Sequence, residues 1–498
     1  MFVRWLPLCW LVAALPVLAA DGPVAVSVDC RRAVEGPLHL RGYVNVSRRA
    51  PPPVELCGRI EREYGRPQVT RCWLMLDQAW DYRTDTYRFD YEINKDYYED
   101  DPNKKRYGVP GVTTGLHYYD YVDSVSAHSE TVLMNVRRYE QEVLTGMIPF
   151  EKWKEVFKTA VRHYKRRCAN LRYVEVLNEP TAKNQSNLGT LAHYYDFYRR
   201  AYEAINELNA ELRPELPILV GGNSGFRTRQ AVRLIEDFAR DPSPDKKLDF
   251  LSFHHYWVEK TPAQIAEWEG EIDDAFERAS LPTDVPVFVT EIGYAHRWKD
   301  DPAKNLWQAA GMTAFQYYAR LCRDLRLFPW VQYHSPQQIA FVQFDTRLRM
   351  TPFGAAVKML RMHKDREVVA TSSGLDENGN GLGALATLDE TGLVIELWSL
   401  RPNGGSRQQA DVSVVHLPES LQAGTLRIRR YLIDSSHSNC LSVPDSPGGL
   451  EMVDERTQPG GVELRLSANL EPMALCLWTI ERRPPSDTPA AASRRSRP

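Results

Sequence analysis

The 498-residue sequence lacks most of the features that announce a metal, nucleotide or nucleic-acid partner. An excess of one charge is missing: 62 Lys and Arg stand against 65 Asp and Glu, a formal net charge of −3. That balance offers no electrostatic grip on nucleic acid or an acidic membrane surface, so the expected partner is neutral or weakly charged. No apolar run ends in a Gly-x-Gly-x-x-Gly turn, which removes the usual phosphate cradle. Cysteine is sparse and scattered. Beyond the first twenty residues, Cys30, Cys57, Cys72, Cys168, Cys322, Cys440 and Cys476 show no Cys-x-x-Cys or Cys/His ligand spacing. This argues against zinc, and neither a metal nor a cofactor is expected. Seven is an odd number, so one or two disulfides would still leave an unpaired thiol in a monomer.

Long hydrophobic runs are also missing beyond the N-terminus, and no later stretch could span a bilayer. The opening residues, "MFVRWLPLCWLVAALPVLAA", combine Arg4, an apolar run, and Val17 and Ala19 at cleavage-type positions. They read as a signal peptide over 1–20, giving a secreted or periplasmic chain. A membrane anchor is the alternative, but the run is short and broken by proline. The far end, 483–498, is rich in Pro, Ser and Arg and is expected to be disordered. Nothing in the sequence specifies an oligomeric state.

What is present is a repeated alternation. Eight short, near-continuously apolar runs are "RGYVNV" (from 41), "QVTRCWL" (68), "ETVLMNV" (130), "YVEVLNE" (173), "LPILVGG" (216), "LDFLSFHHY" (248), "VPVFVTE" (285) and "PWVQYHS" (329). Amphipathic helical patterns such as "FEKWKEVFKTAVRHYKRRC" separate them. Runs covered on both faces and alternating with helices predict an α/β fold, a (β/α)8 TIM barrel over 21–364. The rival, a doubly wound open sheet, lacks its glycine-rich turn. After Asp365 the pattern becomes short alternating strands between polar turns, predicting a C-terminal all-β sandwich over 365–482. The segment at 24–29 is a candidate extra strand of that sandwich. A connection rich in Tyr and Asp follows the second run, from Asp77, and is either a pocket wall or a surface loop.

In a barrel, strand ends face the catalytic side. The fourth run ends on Asn178 and Glu179, and the seventh ends on Glu291, three βα units later. Two glutamates facing each other across the mouth suit hydrolysis of a glycosidic bond, one as proton donor and one as nucleophile or electrostatic partner. Opposed carboxylates also separate each other's protonation, so that one keeps a proton while the other is ionised. The alternative is a pair of structural glutamates, each held by an arginine.

"LNEP" (177–180) and "VTEIGY" (289–294) resemble the strand-four and strand-seven motifs of the clan A glycoside hydrolases. "DFLSFHHYW" (249–257) and "RRYLIDSSHSN" (429–439) resemble stretches of glycoside hydrolase family 39, which contains β-xylosidases and α-L-iduronidases. The resemblance covers roughly residues 24–480 and identifies the chain as a divergent member. It implies Glu179 as general acid/base, Glu291 as nucleophile, and Asn178 as partner of the sugar 2-hydroxyl. His254 and Tyr256 would stand near the nucleophile, and Arg71 would hold it ionised. Trp257, Asn223 and His334 are further candidates for substrate binding.

The departures concern the walls of the pocket. Leu177 and Ile292 stand where the family has tryptophan, His334 stands where it has a tryptophan platform, and "CWLMLD" (72–77) replaces a histidine-containing pattern. Trp80 and Trp298 are either stacking or packing residues. His255, out of phase with His254, should face the helices. Arg137 and Arg138 read as a solvated loop pair, with contact to a uronate carboxylate as the alternative. The function implied is a secreted retaining glycosidase acting on a carbohydrate, exo-acting on β-xylosides or related sugars. The alternatives are an α-L-iduronidase-like or β-glucosidase-like enzyme, an endo-acting polysaccharide hydrolase, or a noncatalytic carbohydrate-binding barrel.

Overall fold

The computed structural model describes residues 22–34, 42–47, 52–89, 118–183, 185–256, 261–294, 296–322, 325–334 and 336–483. The expected signal peptide, most of the Tyr- and Asp-rich connection, Trp257 and the tail from 484 lie outside the described residues. Among those described, eight parallel strands follow one another in chain order: Tyr43–Asn45, Val69–Met75, Thr131–Arg137, Leu171–Val176, Leu219–Phe226, Phe250–Tyr256, Val287–Gly293 and Leu325–Pro329. We refer to them as barrel strands one to eight. Each pairs with the next, as expected for the TIM barrel. Strands eight and one meet through Gln332 rather than a regular ladder. The Asn45 N–H donates to Gln332 Oε1 at 2.6 Å, and the Gln332 N–H donates to the Asn45 carbonyl at 3.3 Å.

Period-two alternation along each strand builds the barrel interior in layers. The floor is apolar and largely aromatic: Tyr43, Val69, Leu133, Tyr173, Phe250, Phe288 and Phe328. Its rings pack at 5.1–5.7 Å, including Phe250 on Phe288 and Tyr173 edge-on to both. Two residues further along the same strands the interior turns polar, at Asn45, Arg71, Asn135, Glu175, Ser252 and Thr290, all buried. This switch from hydrocarbon to hydrogen-bonding groups places the chemistry above a dry plug.

Helices cover the outside, among them Phe150–Arg167, Tyr194–Leu212, Arg227–Arg240, Ile265–Arg278, Lys304–Ala319 and Pro352–Met362. They bury one apolar face each, such as Trp153, Phe157, Ala160, Val161 and Tyr164 of the first. The next element, Arg366–Ser372, begins a mostly antiparallel sheet that ends at Leu475–Arg482 and forms the β-sandwich. Val24–Ala33 lies inside that sheet, antiparallel to Arg366–Ser372 and parallel to Gln408–Val415. The two parts share a core, in which Trp398 of the sandwich packs on Tyr317 of a barrel helix at 4.8 Å. A buried ion pair, Arg320–Glu367, and a buried His363–Glu396 hydrogen bond, both at 2.9 Å, cross the same boundary.

All seven described cysteines are free and buried, with no disulfide among them; burial pushes thiols such as Cys57 up to about 11 and leaves them inert. The eighth apolar run was placed about four residues late. The strand ends at Pro329, so Trp330 stands at the barrel mouth and His334 lies beyond it.

Gln332→Ala leaves the buried Asn45 N–H without its partner, an expected loss of about 1–3 kcal/mol. Chemical denaturation checks this, and an unchanged midpoint would show that the closure does not depend on Gln332.

Candidate active site

Arg71, in the middle of barrel strand two, is fully buried. A guanidinium without water must be paired on every side. Its Nε donates to Glu175 Oε2, its Nη1 to Glu291 Oε1 and its Nη2 to Asn178 Oδ1, each at 2.8 Å. Nη2 also donates to Ser224 Oγ at 3.0 Å. Glu175 is itself saturated: Asn135 Nδ2 donates to Oε2 at 2.8 Å and Thr290 Oγ1 to Oε1 at 2.7 Å. Burial alone would raise the Glu175 carboxyl. The Arg71 charge, His254 and the hydroxyls of Thr290 and Ser252 outweigh it and hold the group below its ordinary value of 4.5. For Arg71, burial is likewise outweighed by Glu175 and Glu291.

Glu291 owes its direction to a bulge. Along strand seven, Phe288 and Thr290 point inward, so Glu291 should point out. The register shifts here: Val289 pairs with Phe253, yet Glu291 pairs with His254, two residues against one. The extra residue turns Glu291 inward beside Thr290. There the Tyr256 hydroxyl donates to its Oε2 at 2.5 Å, opposite Arg71 on Oε1. A matching shift between Asn223 and Gly225 on strand five turns Ser224 inward.

Glu179 lies past the end of strand four. Leu177 and Glu179 have φ of 59° and 46°, left-handed conformations that bulky residues seldom adopt and that cluster at functional sites. Backbone bonds hold them: the Leu177 N–H to the Val136 carbonyl at 2.8 Å, and the Glu179 N–H to the Ser224 carbonyl at 2.9 Å. His254 Nδ1 is 3.1 Å from Glu179 Oε1 and 3.6 Å from Glu291 Oε2. Facing two carboxylates, Nδ1 carries the proton. Nε2 accepts from the Ser224 hydroxyl at 3.1 Å, while that hydroxyl accepts from Arg71. One oxygen of Glu179, one oxygen of Glu291 and one His254 nitrogen all lie within 4.8 Å of one another. These three are also the donor types that hold metals. Arg71 and Tyr256 already use both oxygens of Glu291, however, and a guanidinium beside them opposes a cation.

The structure therefore gathers Arg71, Asn178, Glu179, His254, Tyr256 and Glu291 into one cluster. The other candidates make contacts of their own. Asn223 spends its amide locally, donating to the Gln230 carbonyl at 2.6 Å and accepting from the Gly225 N–H at 3.1 Å. His334 is buried 6.2 Å from the Trp330 ring. Trp80 is a packing residue, its Nε1 bonded to Asp85 and its ring edge-on to Tyr139. Trp298 packs on Trp307 at 5.4 Å. Arg137 is buried rather than solvated, donating to Gln185 Oε1 at 2.6 Å, while Arg138 pairs with the half-exposed Asp77 at 3.7 Å. His255 stacks on Trp268 of a covering helix at 4.1 Å, the outward direction its phase predicts.

Glu175, Asn135, Thr290 and Ser224 were not singled out in the sequence. For Glu175 a signal existed: a charge inside the apolar run "YVEV", in phase with Glu179. Ser224 gave none, because its direction depends on the bulge.

No protein-family model matches the sequence, and no curated protein is similar to it in sequence. Solved structures are similar in shape. The GH39 enzyme from Xanthomonas axonopodis pv. citri superposes with a TM-score of 0.67 at 14% identity, over 94% of this chain and 100% of that one. A glucosidase from Croceicoccus marinus gives 0.66 at 16%, over 93% and 100%. A monomeric β-xylosidase from Caulobacter crescentus gives 0.65 at 13%, over 92% and 99%. The chain shares their fold. At this identity the likeness covers architecture, barrel and sandwich together.

Because the folded state holds the Glu175 carboxyl below 4.5, its contribution to stability is complete above that pH and is lost as the pH falls through the folded value. Glu175→Gln is expected to lose about 3–5 kcal/mol at neutral pH. Its unfolding midpoint should also fall less steeply than the wild type's between pH 5 and 3. Denaturation across that range checks both, and parallel acid limbs would contradict the assignment.

Proposed function

We propose that the protein is a retaining glycoside hydrolase that cleaves O-glycosidic bonds by a two-glutamate double displacement. The observation that carries this reading is that one oxygen of Glu179 and one of Glu291 lie within 4.8 Å of each other, both beside His254 Nδ1. Retaining glycosidases hold their carboxyl groups about 5–5.5 Å apart and inverting ones about 6.5–9.5 Å, and nearest oxygens this close favour the retaining arrangement.

In the first step a Glu291 oxygen bonds to the anomeric carbon while the glycosidic C–O bond breaks, and Glu179 gives its proton to the leaving oxygen. In the second, Glu179 takes a proton from water, whose oxygen displaces Glu291 from the anomeric carbon. Arg71 and Tyr256 orient the nucleophile from either side. The Asn178 carbonyl is held by Arg71, which leaves its NH2 to donate to the sugar 2-hydroxyl as oxocarbenium character develops. His254 Nδ1, 3.1 Å from Glu179 Oε1, hydrogen-bonds that carboxylate once it has released its proton to the leaving oxygen. Chain membership in glycoside hydrolase family 39 is supported by the quoted motifs together with the shared fold.

Exo action on β-xylosides is our reading of the substrate. It is supported by the deep burial of both glutamates, which suits the end unit of a chain, and by the similarity to the Caulobacter β-xylosidase. A β-glucosidase is the second reading, favoured by the Croceicoccus neighbour. Export through residues 1–20 rests on the composition of that segment.

A panel of aryl β-xylosides, β-glucosides, α-arabinosides and α-iduronides tests the substrate class. On whichever the wild type cleaves, Glu291→Gln should lose about 10³-fold or more in kcat. Glu179→Ala should lose about 10²–10⁴-fold in kcat/KM on poor leaving groups while largely sparing kcat/KM for dinitrophenyl glycosides, whose departure needs no protonation. Full activity in Glu291→Gln would overturn the reading.

A further inference from the structure

Trp73 stands two residues after Arg71 on barrel strand two, hence on the same inward face and one layer nearer the mouth. It occupies the stretch where the family resemblance fails, so the motifs assign it nothing. Its indole is 2% exposed, and the Arg71 guanidinium lies 4.6 Å from the ring centroid. Trp73 is thus a direct neighbour of the group that holds Glu291. On its other sides it packs with Met75, Trp330, Val331, Phe341 and Val342, and this cluster reaches solvent through the half-buried Tyr256 and Ile339. Trp330 meets it edge-on at 6.4 Å.

The indole N–H, Nε1, is buried and has no hydrogen-bond partner among the described residues. An indole nitrogen can only donate, and a buried donor left unmade carries a desolvation cost of about 1–3 kcal/mol. In the layer beneath, the polar atoms of Arg71 and Glu175 are all engaged, while the side-chain oxygens of Asn45 and Asn135 are buried acceptors with no hydrogen-bond partner among the described residues. We propose that Trp73 is a specificity-determining residue of the sugar pocket: its ring forms the wall behind Arg71, and its N–H donates to a hydroxyl oxygen of the bound sugar other than the 2-hydroxyl assigned to Asn178. The inference rests on the glycosidase reading and deepens it. The pocket selects at this point for an acceptor, and a sugar lacking that hydroxyl forfeits the bond. A buried donor left empty discriminates more strongly than apolar contact does, since the loss falls on the protein side as well.

The test replaces Trp73 with 3-benzothienylalanine, which keeps the shape of the ring and its contact with Arg71 but has sulfur in place of N–H. Trp73→Phe serves as a second variant. On the best aryl glycoside of the wild type, kcat/KM should fall about tenfold or more with either variant. On the monodeoxy glycoside that lacks the acceptor, wild type and the benzothienylalanine variant should be equal, and screening 3- and 4-deoxy substrates finds it. Binding of xylose- and glucose-configured iminosugars by calorimetry gives an independent readout of the same difference. If the benzothienylalanine variant stays within twofold of wild type on every substrate, the inference is overturned and the glycosidase reading stands. If the wild type neither cleaves a glycoside nor binds an iminosugar, both fall together.

Discussion

One buried positive charge organises this molecule. Arg71 lies in the middle of a closed barrel, above an aromatic floor and out of reach of water, and such a charge is tolerable only with complete pairing. Its four donor contacts go to residues of strands four, five and seven and of the turn after strand four. Because strand two must satisfy Arg71, those elements are tied to one point. The nucleophile candidate Glu291, the amide of Asn178 and, through Ser224, the imidazole of His254 are oriented by the same guanidinium. Stability and site geometry are here the same set of hydrogen bonds.

The remaining precision comes from interruptions of regular structure. A strictly alternating strand seven would send Glu291 toward the helices, and a regular strand five would hide Ser224. Bulges at both places reverse those directions. At strand four the chain leaves the sheet through two left-handed residues, Leu177 and Glu179, which bring the second carboxylate back over the first. These departures all sit at the mouth, where the polar layer replaces the plug.

Much of the architecture was legible because it depends on local pattern. Apolar runs such as "VPVFVTE" separated by amphipathic stretches imply covered parallel strands, and the glutamates fall at run ends where a barrel exposes them. His255 could be turned outward from phase alone. The layer beneath the glutamates was less visible. Glu175 looks like one charge in an apolar run until Arg71, 104 residues away, is placed against it. Ser224 required knowledge of a bulge, and bulges leave no periodic trace. Strand eight was misjudged because "PWVQYHS" is as apolar as a strand, while the true strand, "LRLFP", carries an arginine. Asn223 looked like a mouth residue because it follows "LVGG", but its side chain folds back on its own turn.

The central claim is that Glu179 and Glu291 act as a close pair in which Glu291 becomes covalently bonded to the sugar. Inactivation with a 2-deoxy-2-fluoro glycoside bearing a good leaving group, followed by peptide mass spectrometry, tests it directly, because the fluorine slows release of the glycosyl-enzyme. The account predicts one glycosyl unit per chain, attached to the peptide that carries Glu291 and absent from Glu291→Gln. Attachment at Glu179, or turnover with inverted product and no adduct, would contradict it.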